Sequence, residues 1–151
     1  MKLIIREFHQ DEFTISTDPA KLQIEVIHNF LKNSYWAKNI PLEVVKNSVK
    51  NSFCFGVYYK TDQIGFARLI TDYTTFAYLA DVFILEEFRG KGLSKWLMKT
   101  IIEFPELKNL RGWMLKTSDA HELYKKYGFT SPKSPEKIME LSLLPNGYSN
   151  N

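Results

Sequence analysis

A single cysteine, Cys54, in 151 residues excludes an internal disulfide and any cysteine-built zinc cage, so no metal is expected. No apolar run approaches the ~20 residues of a membrane-spanning helix, and no membrane partner is expected either. The opening Met1-Lys2-Leu3-Ile4-Ile5-Arg6 returns to charge too soon for a signal peptide, which makes a cytoplasmic location the expectation. Repeats, low-complexity stretches and linkers are missing, so a single domain should span 1–151, with 1–12 and 146–151 as its peripheral ends. A long basic block is missing too. Twenty Lys and Arg against seventeen Asp and Glu leave a net charge of +3, a better match to a small anion than to nucleic acid. The Lys/Arg-Gly-Phe/Tyr-Gly/Ala-Phe strand of a common RNA-binding fold is also absent, which places an RNA-binding reading last. Core-forming residues, by contrast, are plentiful: 44% hydrophobic and 15% aromatic, enough to exclude disorder.

Periodicity divides the chain into elements. Lys2 to Phe8 and Phe13 to Thr17 suit short strands. Pro19 to Leu31 has helical spacing at Leu22, Val26, Ile27, Phe30 and Leu31, with Asp18 as N-cap. A second helix begins at Pro41. Phe53 to Tyr59, Ile64 to Ile70 and Phe76 to Leu85 read as three strands with short links, an antiparallel meander. Leu93 to Phe104 is helical and stops at Pro105. Trp113 to Lys116 reads as a buried strand, and Asp119 to Tyr127 as a helix with Glu122 at capping-box spacing and Gly128 at its end. Ile138 to Leu144 is the expected last strand, followed by a frayed tail after Pro145. The order implies an α/β (α+β) domain with a mixed sheet flanked by helices.

One turn carries chemistry. The strand Phe76–Leu85 leads through Glu86-Glu87-Phe88 into Arg89-Gly90-Lys91-Gly92, and a helix starts at once. Free backbone N–H groups at a helix N-terminus favour an anion, glycines let the backbone approach a phosphate, and Arg89 and Lys91 add charge. The spacing does not fit a P-loop, and Lys95 stands where a dinucleotide fingerprint needs glycine. The alternative is a tight turn that merely starts a helix.

The run Asp81-Val82-Phe83-Ile84-Leu85-Glu86-Glu87-Phe88-Arg89-Gly90-Lys91-Gly92-Leu93-Ser94 resembles the coenzyme A signature of the GNAT superfamily of N-acetyltransferases, Gln/Arg-x-x-Gly-x-Gly/Ala. Arg89 and Gly92 meet it, and Ser94 departs from it. Ala120-His121-Glu122-Leu123-Tyr124-Lys125-Lys126-Tyr127-Gly128-Phe129 is similar to the same family's Ala-x-x-Leu-Tyr-x-x-x-Gly-Phe pattern. Two motifs in family order are far more specific than one. The resemblance covers Phe53 to about Leu144.

It implies a mostly antiparallel sheet with a bulge in the strand before the turn, splayed to make a cleft for coenzyme A. Backbone groups of Val82, Phe83 and Ile84 would line the pantetheine arm. Amides from Arg89, Gly90, Lys91, Gly92, Leu93 and Ser94 would hold the pyrophosphate, and Thr117 would stand near the arm. The implied cosubstrate is acetyl-CoA, and the implied activity is direct acetyl transfer to a primary amine in a ternary complex. The acceptor is a small molecule, a protein N-terminus or a lysine, and the resemblance allows a homodimer. The other reading is a non-catalytic acyl-CoA sensor or structural module of the same fold.

Such transfer needs a base, because an amine with pKa near ~10.4 is protonated at neutral pH. It also needs donors for the oxyanion and for the departing thiolate. Tyr124 takes the family's leaving-group acid position. Asp81, alone in an apolar strand and aligned by alternation with Leu79 and Phe83, is either the base or the partner of Arg68. Arg68 has a second possible use, binding an acidic group of the acceptor. Tyr35, Trp36, Phe76 and Tyr78 are the expected acceptor walls. Cys54 reads as a buried thiol.

Overall fold

In the computed structural model, which describes residues 3–149, six strands form one sheet in chain order. They are β1 (Glu7–Gln10), β2 (Phe13–Ser16), β3 (Phe53–Tyr59), β4 (Asp62–Thr71), β5 (Phe76–Ile84) and β6 (Gly112–Leu115). Neighbours pair antiparallel, except that β6 runs parallel to β5. The connection between those two is α3 (Leu93–Ile102), a crossover that a parallel pair requires. The other helices are α1 (Ile24–Lys32), α2 (Leu42–Lys50) and α4 (His121–Lys125). The mixed, mostly antiparallel sheet with flanking helices is the architecture expected from the sequence.

The sheet separates two cores. On one face Leu97, Met98 and Ile101 of α3 pack on Phe55, Ala67 and Leu69, with Tyr124 of α4 in the same cluster. On the other face Ile27 and Leu31 of α1 and Val45 of α2 cover Cys54, Phe66 and Phe83. Period-2 alternation in β3 and β4 serves both faces at once, which is why these central strands are apolar almost throughout.

Several local expectations are corrected. Leu3 to Arg6 precedes β1 rather than belonging to it, although Thr17 still donates its N–H to the Arg6 carbonyl; Lys2 lies outside the described residues. The first helix is broken: Asp18 caps a 3₁₀ turn at Pro19–Lys21, and α1 starts only at Ile24. The break belongs to Gln23, whose N–H donates to the side chain of Gln63 (2.7 Å) while Gln63 N–H donates back to Gln23 (3.1 Å). That reciprocal pair pins the chain to the β3–β4 hairpin and stops the turn from running on. The box at Asp119 and Glu122 does not form. Thr117 Oγ1 accepts from Ala120 N–H (3.0 Å), and Glu122 pairs with Lys125. Finally, Ile138 to Leu144 forms no strand. Beyond Pro145, Tyr148 packs against the α1–α2 core instead of fraying.

Candidate functional site

The cleft follows from one backbone event. Arg68 faces Ala80 and Phe66 faces Phe83, so Ala67 opposes both Asp81 and Val82, and β5 carries one extra residue. Asp81 takes the strain, at φ 55°. The bulge also reverses the alternation. Leu79 packs in the α3-side core, whereas Phe83 lies in the α1–α2 core, stacked on Phe30 at 4.0 Å. Asp81 is therefore not aligned with both, as simple alternation had it. Pairing with β6 ends at Leu79 opposite Leu115, just before the bulge. Beyond that point the two strands part, and a cavity of about 540 Å³ opens between them.

Asp81 and Arg68 meet there, as one of the two expectations had it. Arg68 Nε donates to Asp81 Oδ2 at 2.8 Å, with the two side chains 16% and 10% exposed. Arg68 continues to Ser52 Oγ (3.1 Å), and Trp36 Nε1 donates to Asp81 Oδ1 (3.0 Å). The loop between α1 and α2 thus reaches one lip of the cavity through Trp36. It reaches the other through Tyr35, whose hydroxyl accepts from Ser118 N–H at 3.2 Å. Tyr78 and Val82 also line the cavity. Phe76 does not: it lies at the far end of β5, opposite Gly112. Lys116, Ser118 and Asp119 line it without having been singled out from the sequence. Their only signal was position, immediately after a strand that borders the cleft.

Tyr124 is buried at the cavity wall, edge-on to Phe129 at 6.0 Å. Its hydroxyl makes no hydrogen bond to another described residue. Burial, with smaller contributions from Tyr35 and Asp119, pushes its pKa up to about 12. Thr117, expected near the arm, holds the start of α4 and also lines the cavity. Cys54 is buried and its thiol is pushed up to about 12, chiefly by that burial, so it is an inert group rather than a nucleophile.

Past the cavity β5 ends at Ile84, and a 3₁₀ turn over Glu86–Phe88 leads from it into the glycine turn. Gly90 and Gly92 have φ of 79° and 77°, and Gly92 is the N-cap of α3 with no side chain capping it. A Cβ at either position would meet nothing within 4 Å, so glycine is there for backbone conformation, not for lack of room. The first intrahelical bond is Trp96 N–H to the Gly92 carbonyl. The amides of Leu93, Ser94 and Lys95 are left free by the helix itself, and its first turn has no acidic residue. Arg89, Gly90, Lys91 and Gly92 are exposed, while the Leu93 side chain is buried in the core, leaving only its amide for a ligand. Arg89 Nε donates to the Ile84 carbonyl, which fixes its guanidinium beside the turn. Free amides and the positive end of the α3 dipole, with Arg89 and Lys91 in the adjoining turn, suit an anion.

Comparison with known proteins gives a consistent picture. A family model described as "Acetyltransferase (GNAT) domain" matches residues 50–131. A curated protein of Gibberella zeae, named a putative acetyltransferase, is 33% identical over 141 residues, covering 76% of this chain and 77% of its own length. A crystal structure from Xanthomonas campestris, titled as a putative acetyltransferase belonging to the GNAT family, is 48% identical. It matches 87% of this chain and 93% of its own at a TM-score of 0.85. A GNAT family acetyltransferase from Elizabethkingia anophelis with acetyl-CoA bound shares the fold at a TM-score of 0.62 and 21% identity, over 80% of this chain and 78% of that one.

Proposed function

The chain belongs to the GNAT family of acetyltransferases, and from that premise we propose that it transfers an acetyl group from acetyl-CoA to a primary amine within a ternary complex. The observation that carries this reading is the succession, along the chain through β5, of a cavity walled by Arg68, Asp81 and Tyr124, a stretch of β5 unpaired with β6, and a glycine turn whose helix N-terminus suits an anion.

The amides from Arg89 to Ser94 hold the pyrophosphate, with Arg89 and Lys91 balancing its charge. The splayed half of β5, from Val82 to Ile84, offers the backbone groups released from β6 to the pantetheine arm. Bound in this way, acetyl-CoA supplies an activated acetyl thioester. Donor N–H groups at the bulge face the charge that develops on the carbonyl oxygen. Asp81 uses one lone pair on each oxygen for Trp36 and Arg68; the remaining pairs accept the proton of the amine through water. Tyr124 keeps its proton at neutral pH and presents it to the sulfur. Complete transfer from a phenol near 12 to a free thiolate near ~8.5 would cost about 5 kcal/mol, so a hydrogen bond that strengthens as the thiolate forms is the effective contribution. Tyr35 and Trp36 cover the mouth and limit entry to an acceptor that fits beside them.

The test is thiol release from acetyl-CoA across a panel of polyamines, amino acids, amino sugars and peptide N-termini, with wild type and Tyr124→Phe. At least one amine should be turned over, and the variant should lose kcat and kcat/KM together by ~10²-fold. Full activity in the variant would remove Tyr124 from the mechanism. Acetyl-CoA binding with no turnover of any amine would favour the sensor reading.

A further inference from the structure

Tyr35 and Trp36 are neighbours in the loop between α1 and α2, yet their polar ends go to opposite lips of the splayed cavity. The Trp36 indole N–H donates to Asp81 Oδ1 at 3.0 Å, on β5 at the bulge. The Tyr35 hydroxyl accepts from Ser118 N–H at 3.2 Å, three residues beyond the end of β6. Pairing between the two strands stops at Leu79 and Leu115. Among the described residues, the hydrogen bonds that span the lips past that point run through this dipeptide. The two rings meet edge to face at 5.1 Å, which couples one polar end to the other. Burial does not explain their placement, since Tyr35 is 60% and Trp36 42% exposed. The loop that carries them is closed on itself. Ser34 Oγ donates to the Leu31 carbonyl (2.7 Å) and accepts from Ala37 N–H (3.1 Å), and Asn39 N–H donates to the Lys32 carbonyl (2.9 Å). Trp36 also lies against Phe30, which stacks on Phe83 of β5. The pair is a stiff link, held from behind, and not a loose flap.

We infer that Tyr35 and Trp36 form a cross-tie that sets the separation between Asp81 and Tyr124, the groups that accept and donate protons in the transfer. The effect of the tie on rate rests on the reaction proposed above; its effect on the two lips does not. Each end leads to one of the two groups. Asp81, at φ 55°, is held by Arg68 through one oxygen and by Trp36 through the other, so without the indole the carboxylate can turn about its bond to Arg68. At the other lip, Ser118 lies inside the turn in which Thr117 Oγ1 accepts from Ala120 N–H (3.0 Å). The Ala120 carbonyl in turn accepts from Tyr124 N–H (3.2 Å), so fixing Ser118 fixes the start of the helix that carries the phenol. The strands share no pairing at this level, and the sheet does not hold the separation by itself. A misplacement of about 1 Å between reacting groups costs up to ~10²-fold in rate, which is what the tie prevents. In this role both residues act through Asp81 and Tyr124 and are positioning residues.

Tyr35→Phe and Trp36→Phe each delete one hydrogen-bonding group and keep an aromatic ring. With an amine that wild type acetylates, each variant should lower kcat by ~10-fold, while KM for acetyl-CoA and the melting temperature stay near wild type. The double variant should lose no more than about 2-fold beyond the worse single, because a tie is cut only once. Losses that multiply in the double variant would make the two ends independent and overturn the inference, as would an unchanged kcat in both singles. A signal independent of turnover is the Trp36 indole N–H in the proton NMR spectrum, identified among the three tryptophans by its loss in Trp36→Phe. Bonded to a carboxylate that is 10% exposed, it should exchange slowly with water in wild type. In Tyr35→Phe it should exchange severalfold faster, although that variant leaves both the indole and Asp81 in place. If wild type acetylates no amine, the proposed reaction falls and this signal alone decides the tie. An exchange rate unchanged by Tyr35→Phe would overturn the tie whatever the kinetics.

Discussion

Asp81 is held in a left-handed conformation that costs a non-glycine residue about 1–2 kcal/mol, so its surroundings must favour it by more than that. They do so through a charged partner on β4 and an indole N–H from the α1–α2 loop. Asp81→Ala removes both and leaves the Arg68 guanidinium, only 16% exposed, without its anion. A loss of about 2–4 kcal/mol in urea unfolding is expected. Asp81→Asn keeps the shape and tolerates the backbone angle, so it should unfold closer to wild type while turning over more slowly. If Asp81→Asn instead kept full specific activity, the carboxylate would be an anchor only, and proton acceptance would belong elsewhere. The residue types of this site were visible in the sequence: an aspartate isolated among apolar neighbours, and an arginine on the adjacent strand. The bulge that turns Asp81 toward Trp36 was not visible in the alternation, because an extra residue in one strand is a property of the pair, not of either strand alone.

Elements whose order comes from nearby residues were the easiest to anticipate. The meander, α3 and its glycine N-cap all follow from local period and turn chemistry. Elements decided by distant partners were not: Gln23 breaks a helix because it pairs with Gln63, forty positions away. The capping box lost instead to a local competitor, the Thr117 hydroxyl, which accepts from Ala120 N–H three residues on. The β4–β5 turn is a local case with a measurable consequence. Asp72 accepts from the N–H groups of Thr74, Thr75 and Phe76 and from the Thr75 hydroxyl, and these bonds hold its carboxyl well below the usual carboxylate range. A depressed folded pKa stabilises the fold fully above the unfolded value of ~3.9 and loses that contribution as pH falls toward the folded value. Asp72→Ala should therefore melt below wild type at neutral pH, and the gap between the two should narrow as pH falls below about 4. A gap constant from pH 7 to pH 3 would mean that the carboxylate's charge does not stabilise this turn.

At the scale of the whole molecule, the two cores fix the sheet from both sides, and the splay between β5 and β6 is the break in its pairing that reaches the glycine turn. The final expected strand, Ile138–Leu144, had the right composition, but a strand also needs an edge, and within one chain the segment does not pair along β6. The account depends most on the turn that ends the cleft. Gly92→Glu puts a carboxylate at the N-terminus of α3, where the account places the pyrophosphate, and forces a side chain into φ 77°. That side chain meets nothing within 4 Å, so the fold should survive apart from about 1–2 kcal/mol of backbone strain. The direct measurement is a calorimetric titration of coenzyme A into wild type and Gly92→Glu, with circular dichroism as the control for folding. The account predicts saturable binding by wild type and a loss of at least ~10²-fold in affinity for a natively folded variant. Equal affinity in the two proteins would contradict it, because the pyrophosphate would then be bound somewhere other than the turn between β5 and α3.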